Sequence, residues 1–254
     1  MKPLSELTPT SSRSIMIIGE SGTGKTCFLT TCPRPLEVHD FDGKTSSAFN
    51  FLQRQGKPLD GIAVEDYSKI IGRDANDTVR LRMATFYTWL VAQEKLVMER
   101  KPLPFATVAI DSTTKFFETM LKDIVRASIG KVKPTMEGRD DMPGLSHYGV
   151  LGVDGKGMLN RVLALPCVKV FTAHYEREKD ELTGRVVSQA MLPGKQLPNY
   201  LPIVFNEVYR SFVEDGKYKL QTQSDASFNC RSELGLPRVV ESSYEVLAKA
   251  SLSK

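Results

Sequence analysis

The chain has 254 residues, 41% of them hydrophobic, 25% charged and 8% aromatic, a composition that excludes a fibrous or wholly disordered protein and fits one folded globular unit. A formal net charge of +4 is compatible with a polyanionic partner without demanding one. The four cysteines, Cys27, Cys32, Cys167 and Cys230, include no CxxC pair and have no histidine at metal-ligand spacing, so neither a disulfide framework nor a zinc site is indicated.

The N-terminus lacks the apolar run of a secretory signal, and no later stretch approaches a membrane span, so a cytoplasmic protein without a membrane partner is expected. Residues 1–13 are polar and carry prolines, which predicts a flexible leader ahead of a single domain over 14–254. Residues 14–18 form a short apolar run ending in glycine, the pattern of a strand buried on both faces.

Directly after it comes Gly19-Glu20-Ser21-Gly22-Thr23-Gly24-Lys25-Thr26, a full match to G-x-x-x-x-G-K-[ST] between a buried strand and a helix. Glycines let the backbone wrap around phosphate with its N–H groups turned inward, and the helix N-terminus adds partial positive charge. Lys25 supplies a full charge for the β and γ phosphates of ATP, the Thr26 hydroxyl is a ligand for Mg²⁺, and Cys27 continues the nucleotide-binding segment.

Further strands are predicted at 36–38 and 62–65, with a helix over 46–55 between them. Asp74, Asn76 and Asp77 offer cap chemistry to a long helix reaching about Arg100, along which Val79, Met83, Phe86, Leu90 and Val97 recur at helical spacing. Pro102 and Pro104 end it. A buried strand over 105–110 follows, ending in Asp111, where a second carboxylate must lie to hold the magnesium or its water shell. Phe116, Phe117, Met120, Leu121, Ile124 and Val125 then mark another helix.

The segment 130–157 is rich in glycine and basic residues with little hydrophobic periodicity and is predicted to be a loop, followed by a helix over 158–165 and a strand over 168–172. The turn signals Leu182-Thr183-Gly184 and Asp215-Gly216 predict antiparallel hairpins in the C-terminal third. The fold class is therefore α/β, with a mostly parallel central sheet, helices on both faces and antiparallel hairpins towards the end.

With Gly19–Thr26 and Thr107-Val108-Ala109-Ile110-Asp111-Ser112 in place, residues 14–240 resemble the RecA-like P-loop ATPases, and within them the compact phage-encoded RecA-core proteins of DNA recombination and single-strand annealing. His39-Asp40-Phe41-Asp42-Gly43 resembles the segment whose acid activates the attacking water, which makes Asp42 the candidate base, with Asp40 and Glu20 as rivals. An aspartate stands there instead of the family's glutamate. Val170-Phe171-Thr172-Ala173-His174 resembles the strand ending in a γ-phosphate sensor, so His174 takes that role. The resemblance implies two DNA-facing loops, carrying Lys131, Lys133, Arg139 and Lys156, and Arg177, Lys179, Arg185 and Lys195, with Tyr148 or Tyr175 stacking on bases. It also implies single-stranded DNA as partner, a homo-oligomeric ring or filament with ATP at subunit interfaces, Arg231 as a cation reaching a neighbour's phosphates, and a single-stranded-DNA-binding protein as a further partner. A hexameric helicase or helicase loader, and a small-molecule kinase using 130–157 as a lid, are the competing readings.

Overall fold

The computed structural model describes residues 12–54, 56, 58–128, 142–179, 184 and 186–252. Its strands are β1 (Ser14–Gly19), β2 (Leu36–Asp40), β3 (Ile62–Asp66), β4 (Thr107–Asp111), β5 (Val168–Ala173), β6 (Tyr175–Lys179), β7 (Val186–Ala190), β8 (Glu207–Glu214), β9 (Lys217–Gln221) and β10 (Val239–Glu241). The helices are α1 (Lys25–Leu29), α2 (Thr45–Arg54), α3 (Ala75–Met98), α4 (Thr113–Ser128), α5 (Leu145–Leu163), α6 (Gln196–Val204) and α7 (Tyr244–Leu252).

Eight strands form one sheet in the order β10-β9-β8-β1-β5-β4-β2-β3. The pairings from β8 through to β3 are parallel, while β9 and β10 add antiparallel strands at one edge. This is a mixed α/β fold with a large, mostly parallel central sheet. Because side chains alternate across a strand, Met16 and Ile18 of β1 enter one core and Ile15 and Ile17 the other. The first core is covered by α3, α4, α5 and α6 through Phe86, Phe116, Phe117, Leu159 and Leu201. The second is covered by α1 and α7 through Phe28, Leu29 and Leu247.

Local chemistry explains the element ends. The Asp74 carboxylate caps α3 by accepting from Asn76 N at 2.6 Å and Asp77 N at 2.9 Å, and α3 buries Val79, Met83, Phe86 and Leu90 as the spacing predicts. Asp215 (φ 51°) and Gly216 (φ 71°) form the tight turn between β8 and β9, matching the hairpin expected there. The second hairpin, β6–β7, stands as a separate two-stranded ribbon, and residues 182–183 of its predicted turn lie outside the described residues.

Three expectations need correction. Residues 12–13 do not belong to a loose leader: Arg13 pairs with the buried Glu207 at 2.7 Å and bonds Ser251, because an acid in the core demands a cation. Of the loop predicted over 130–157, residues 145–157 belong to helix α5, and 130–141 lie outside the described residues. Two of the glycines in α5 serve packing: a Cβ on Gly152 would collide with the Gln196 side chain, and one on Gly155 would lie 3.1 Å from the Phe117 ring and 3.3 Å from Leu197, so α4, α5 and α6 approach closely along that face. Finally, the region before β8 holds a helix, α6, despite Pro198 and Pro202, its buried Leu197 and Leu201 anchoring it to the core. No helix among the described residues is long and apolar enough to cross a membrane.

Candidate nucleotide-binding site

The site forms at the C-terminal ends of β1, β4, β5 and β2, which the parallel sheet brings to one edge. Between β1 and α1 the chain turns through Gly22 (φ 80°) and Gly24 (φ 85°), conformations that L side chains rarely adopt. The Tyr218 ring of β9 packs directly over Gly24, so a Cβ there would collide with it. Thr23 Oγ1 donates to the Glu20 carbonyl at 2.8 Å, and Ser211 Oγ donates to the Thr23 carbonyl at 2.6 Å, which fixes the loop against β8.

Lys25 is buried, and its Nζ donates to the carbonyls of Gly19 at 2.9 Å and Glu20 at 2.7 Å. Burial lowers its pKa, a shift opposed by the nearby charges of Asp111 and Asp42. Thr26 Oγ1 donates to Asp111 Oδ2 at 2.7 Å, while Thr172 Oγ1, from the intervening strand β5, donates to Asp111 Oδ1. Asp111 is 4% exposed, and burial raises its pKa against those two hydrogen bonds, with Asp40 and Asp42 raising it further. A buried carboxylate and an alcohol, both hard oxygen donors, fit Mg²⁺, which takes one or two carboxylates plus phosphates and water. Among the described residues no cluster of three or more acids, histidines or cysteines forms an all-protein metal cage, so the remaining ligands of such an ion would be phosphate and water.

The segment after β2 is organised by Asp40. Its Oδ1 accepts from Asp42 N at 3.0 Å and Gly43 N at 2.7 Å, and its Oδ2 accepts from Thr45 N at 2.8 Å. Both oxygens of this rival acid are thus engaged in shaping the turn. Asp42 is left facing the cleft, with Oδ2 3.6 Å from His174 Nε2. Burial pushes the Asp42 pKa up, but hydrogen bonds from His174 and Ser112 and the charges of His174 and Lys44 outweigh it, leaving the carboxyl below its ordinary value. The other rival, Glu20, is exposed and accepts from the Tyr175 hydroxyl at 2.5 Å.

A cavity of about 590 Å³ joins these groups. Of the residues that the sequence points to, Ser21, Gly22, Gly24, Lys25, Thr26, Cys27, Asp42, Asp111 and His174 line it. Gly19, Glu20 and Thr23 act behind the wall through their backbone. Lys44, Asn50, Arg54 and Tyr218 also line the cavity, and sequence reasoning misses all four. Lys44 lies two residues past Asp42 in the same turn, a signal the sequence does carry. Tyr218 has none, since only the β8–β9 hairpin returns it to Gly24.

The basic residues assigned to DNA scatter. Lys131, Lys133, Arg139 and Arg185 lie outside the described residues. Lys156 sits on α5 rather than in a loop, bonded to Gln196 at 3.1 Å and 5.3 Å above the Tyr200 ring. Lys195 is exposed at the start of α6. Arg177 and Lys179 are exposed on β6, which starts immediately after His174. Tyr148 packs against the first core, as does Tyr175. Arg231 donates to the Ile203 carbonyl at 3.1 Å and pairs with Glu233 at 3.0 Å, and its backbone bridges to Val208, level with Met16 and well down β1 from the phosphate loop.

A phosphate-wrapping loop after β1, a buried lysine and a hydroxyl–carboxylate pair joined across the sheet define a P-loop ATPase. The chain belongs to the AAA domain family, whose model matches residues 11–232. No curated protein matches the sequence.

Proposed function

We propose that this ATPase binds single-stranded DNA as a homo-oligomer and acts in DNA recombination or annealing of the phage RecA-core kind, using ATP to control its hold on the strand. The observation that carries the reading is the direct covalent link between the cleft and the exposed strand of a separate two-stranded ribbon. His174, beside Asp42, is followed at once by Tyr175, bonded to Glu20, and then by Arg177 and Lys179 on β6. A change at the terminal phosphate would reach the ribbon without an intermediary. Mg²⁺ would be held by Thr26 and Asp111, Asp42 would orient or deprotonate the attacking water, and His174 would report the γ phosphate.

The test is ATP hydrolysis with and without single-stranded DNA, beside the Lys25→Ala variant. Stimulation by DNA, abolished in that variant, is the expected result. Turnover indifferent to DNA, with phosphate passed to a small molecule, would overturn the DNA reading in favour of a kinase. Strand displacement by the same protein would move it to a helicase.

A further inference from the structure

We propose that Lys44 acts in cis on the terminal phosphate of bound ATP, as the cation by which this cleft distinguishes triphosphate from diphosphate. The inference rests on reading the cleft as the ATP site. Lys44 lines the same cavity as Lys25, Thr26, Asp42 and Asp111. Its backbone position is set by a rigid turn, since the single Asp40 carboxylate accepts from the N–H groups of Asp42 and Gly43 before it and Thr45 after it. Gly43 takes φ 68° with the Ser68 side chain closing on its α-carbon, so the turn has little freedom to move Lys44 away.

Lys44 sits in the turn that carries Asp42 and lines the cavity that Lys25 shares. Its charge acts on both neighbours, disfavouring Lys25 as a cation and favouring Asp42 as an anion. These are the groups that flank the γ-phosphate position in the reading above. The cleft also presents two carboxylates, Asp42 and Asp111, to a highly anionic ligand, while the phosphate loop itself carries one full positive charge, on Lys25. Lys44 offsets that repulsion beside Asp42, where the extra charge of a triphosphate lies, whereas Arg54, the other lining cation, stands at the far end of α2. Arg231, the residue expected to supply a cation to a neighbouring subunit, is paired within its own chain with Glu233 and the Ile203 carbonyl.

The test uses equilibrium titrations of the full chain with fluorescent ADP and a fluorescent non-hydrolysable ATP analogue in Mg²⁺, for wild type, Lys44→Ala, Lys44→Arg and Lys25→Ala. Lys44→Ala is expected to weaken the triphosphate roughly tenfold, the scale of one charge-assisted hydrogen bond, and ADP by less than about threefold. Lys44→Arg should restore most of the difference, and the ratio should not change with protein concentration. Equal losses for the two nucleotides, no loss for either, or a difference that appears only as subunits associate, would each overturn the role in cis. Lys25→Ala should lose both nucleotides. If wild type binds neither, the nucleotide reading of the cleft falls and this inference with it.

Discussion

His174 Nε2 lies 3.6 Å from Asp42 Oδ2, so the end of β5 and the turn after β2 meet across the end of β4, which separates the two strands in the sheet. Hydrogen bonding from His174 and Ser112 holds the Asp42 carboxyl below its ordinary pKa, although burial pushes the other way. A depressed pKa means that Asp42 adds stability above its unfolded pKa, and that this is lost as pH falls through the folded value. His174→Ala should therefore move the acidic limb of the pH–kcat/KM profile for ATP hydrolysis to higher pH, and should lower Tm at pH values where Asp42 is ionised, the difference from wild type disappearing in acid. Asp42→Asn should bind ATP and lose about a hundredfold or more in kcat. An unmoved acidic limb in the His174 variant would separate the histidine from the base.

Asp111 has the opposite sign. Burial raises its pKa, so its contribution to stability is present at low pH and is lost as pH rises through the folded value. Asp111→Asn should consequently melt at or above the wild-type temperature at neutral pH without nucleotide, the advantage disappearing in acid. The same variant should lose about a hundredfold or more in magnesium-dependent turnover, and the rise in Tm that Mg²⁺ and ATP give the wild type should shrink. Melting curves at several pH values beside steady-state assays check both halves. A variant destabilised at neutral pH would assign Asp111 a structural part, through Thr26 and Thr172, instead.

Gly24 faces two separate obstacles to any side chain: a left-handed backbone and the Tyr218 ring. Gly24→Ala should cost about 1–2 kcal/mol from the backbone alone, with the ring clash added to it. Gly22, at φ 80° but with nothing within 4 Å of a Cβ, carries only the first cost. In chemical denaturation, Gly24→Ala should thus be worse than Gly22→Ala, and Tyr218→Ala should recover part of the Gly24 loss in a double-mutant cycle. Strict additivity of Gly24→Ala and Tyr218→Ala would remove the ring from the account.

The phosphate loop, Asp111 and the alternation of strand and helix are legible in the sequence because each leaves a local trace: a glycine pattern, an acid at the end of an apolar run, a change of hydrophobic period. Asp42 is legible only through resemblance, and its choice over Asp40 needs three dimensions, since nothing in the sequence says that Asp40 spends both oxygens on the Asp42–Thr45 backbone. The start of α5 is hidden because Gly149, Gly152, Gly155 and Gly157 look like loop residues, whereas Leu151, Gly155, Leu159 and Val162 are its buried stripe. Tyr218 and Arg13 escape a sequence reading because their partners, Gly24 and Glu207, are about two hundred residues away along the chain.

The interleaved charges of β6 sort onto opposite faces of the ribbon, which sharpens the DNA proposal into a test. Side chains alternate along a strand, so Tyr175, Arg177 and Lys179 share one face while Glu176 and Glu178 share the other, where Gln189 of β7 donates to Glu178 at 2.7 Å. Two cations on one face form a short track for a phosphate backbone, and the acids opposite would keep that strand to one side. Arg177→Ala and Lys179→Ala should each weaken binding of a labelled single-stranded oligonucleotide and reduce the slope of log affinity against log salt by about 0.7 for every phosphate that is no longer neutralised. Glu176→Gln with Glu178→Gln should leave the slope unchanged, because every cation that neutralises a phosphate is still in place. Affinity for ATP without DNA should be the same in all these variants, since none of the four residues lines the nucleotide cavity. A salt titration in which the Arg177 and Lys179 variants keep the wild-type slope would take the ribbon out of the DNA path, and the basic track would have to be sought elsewhere on the chain.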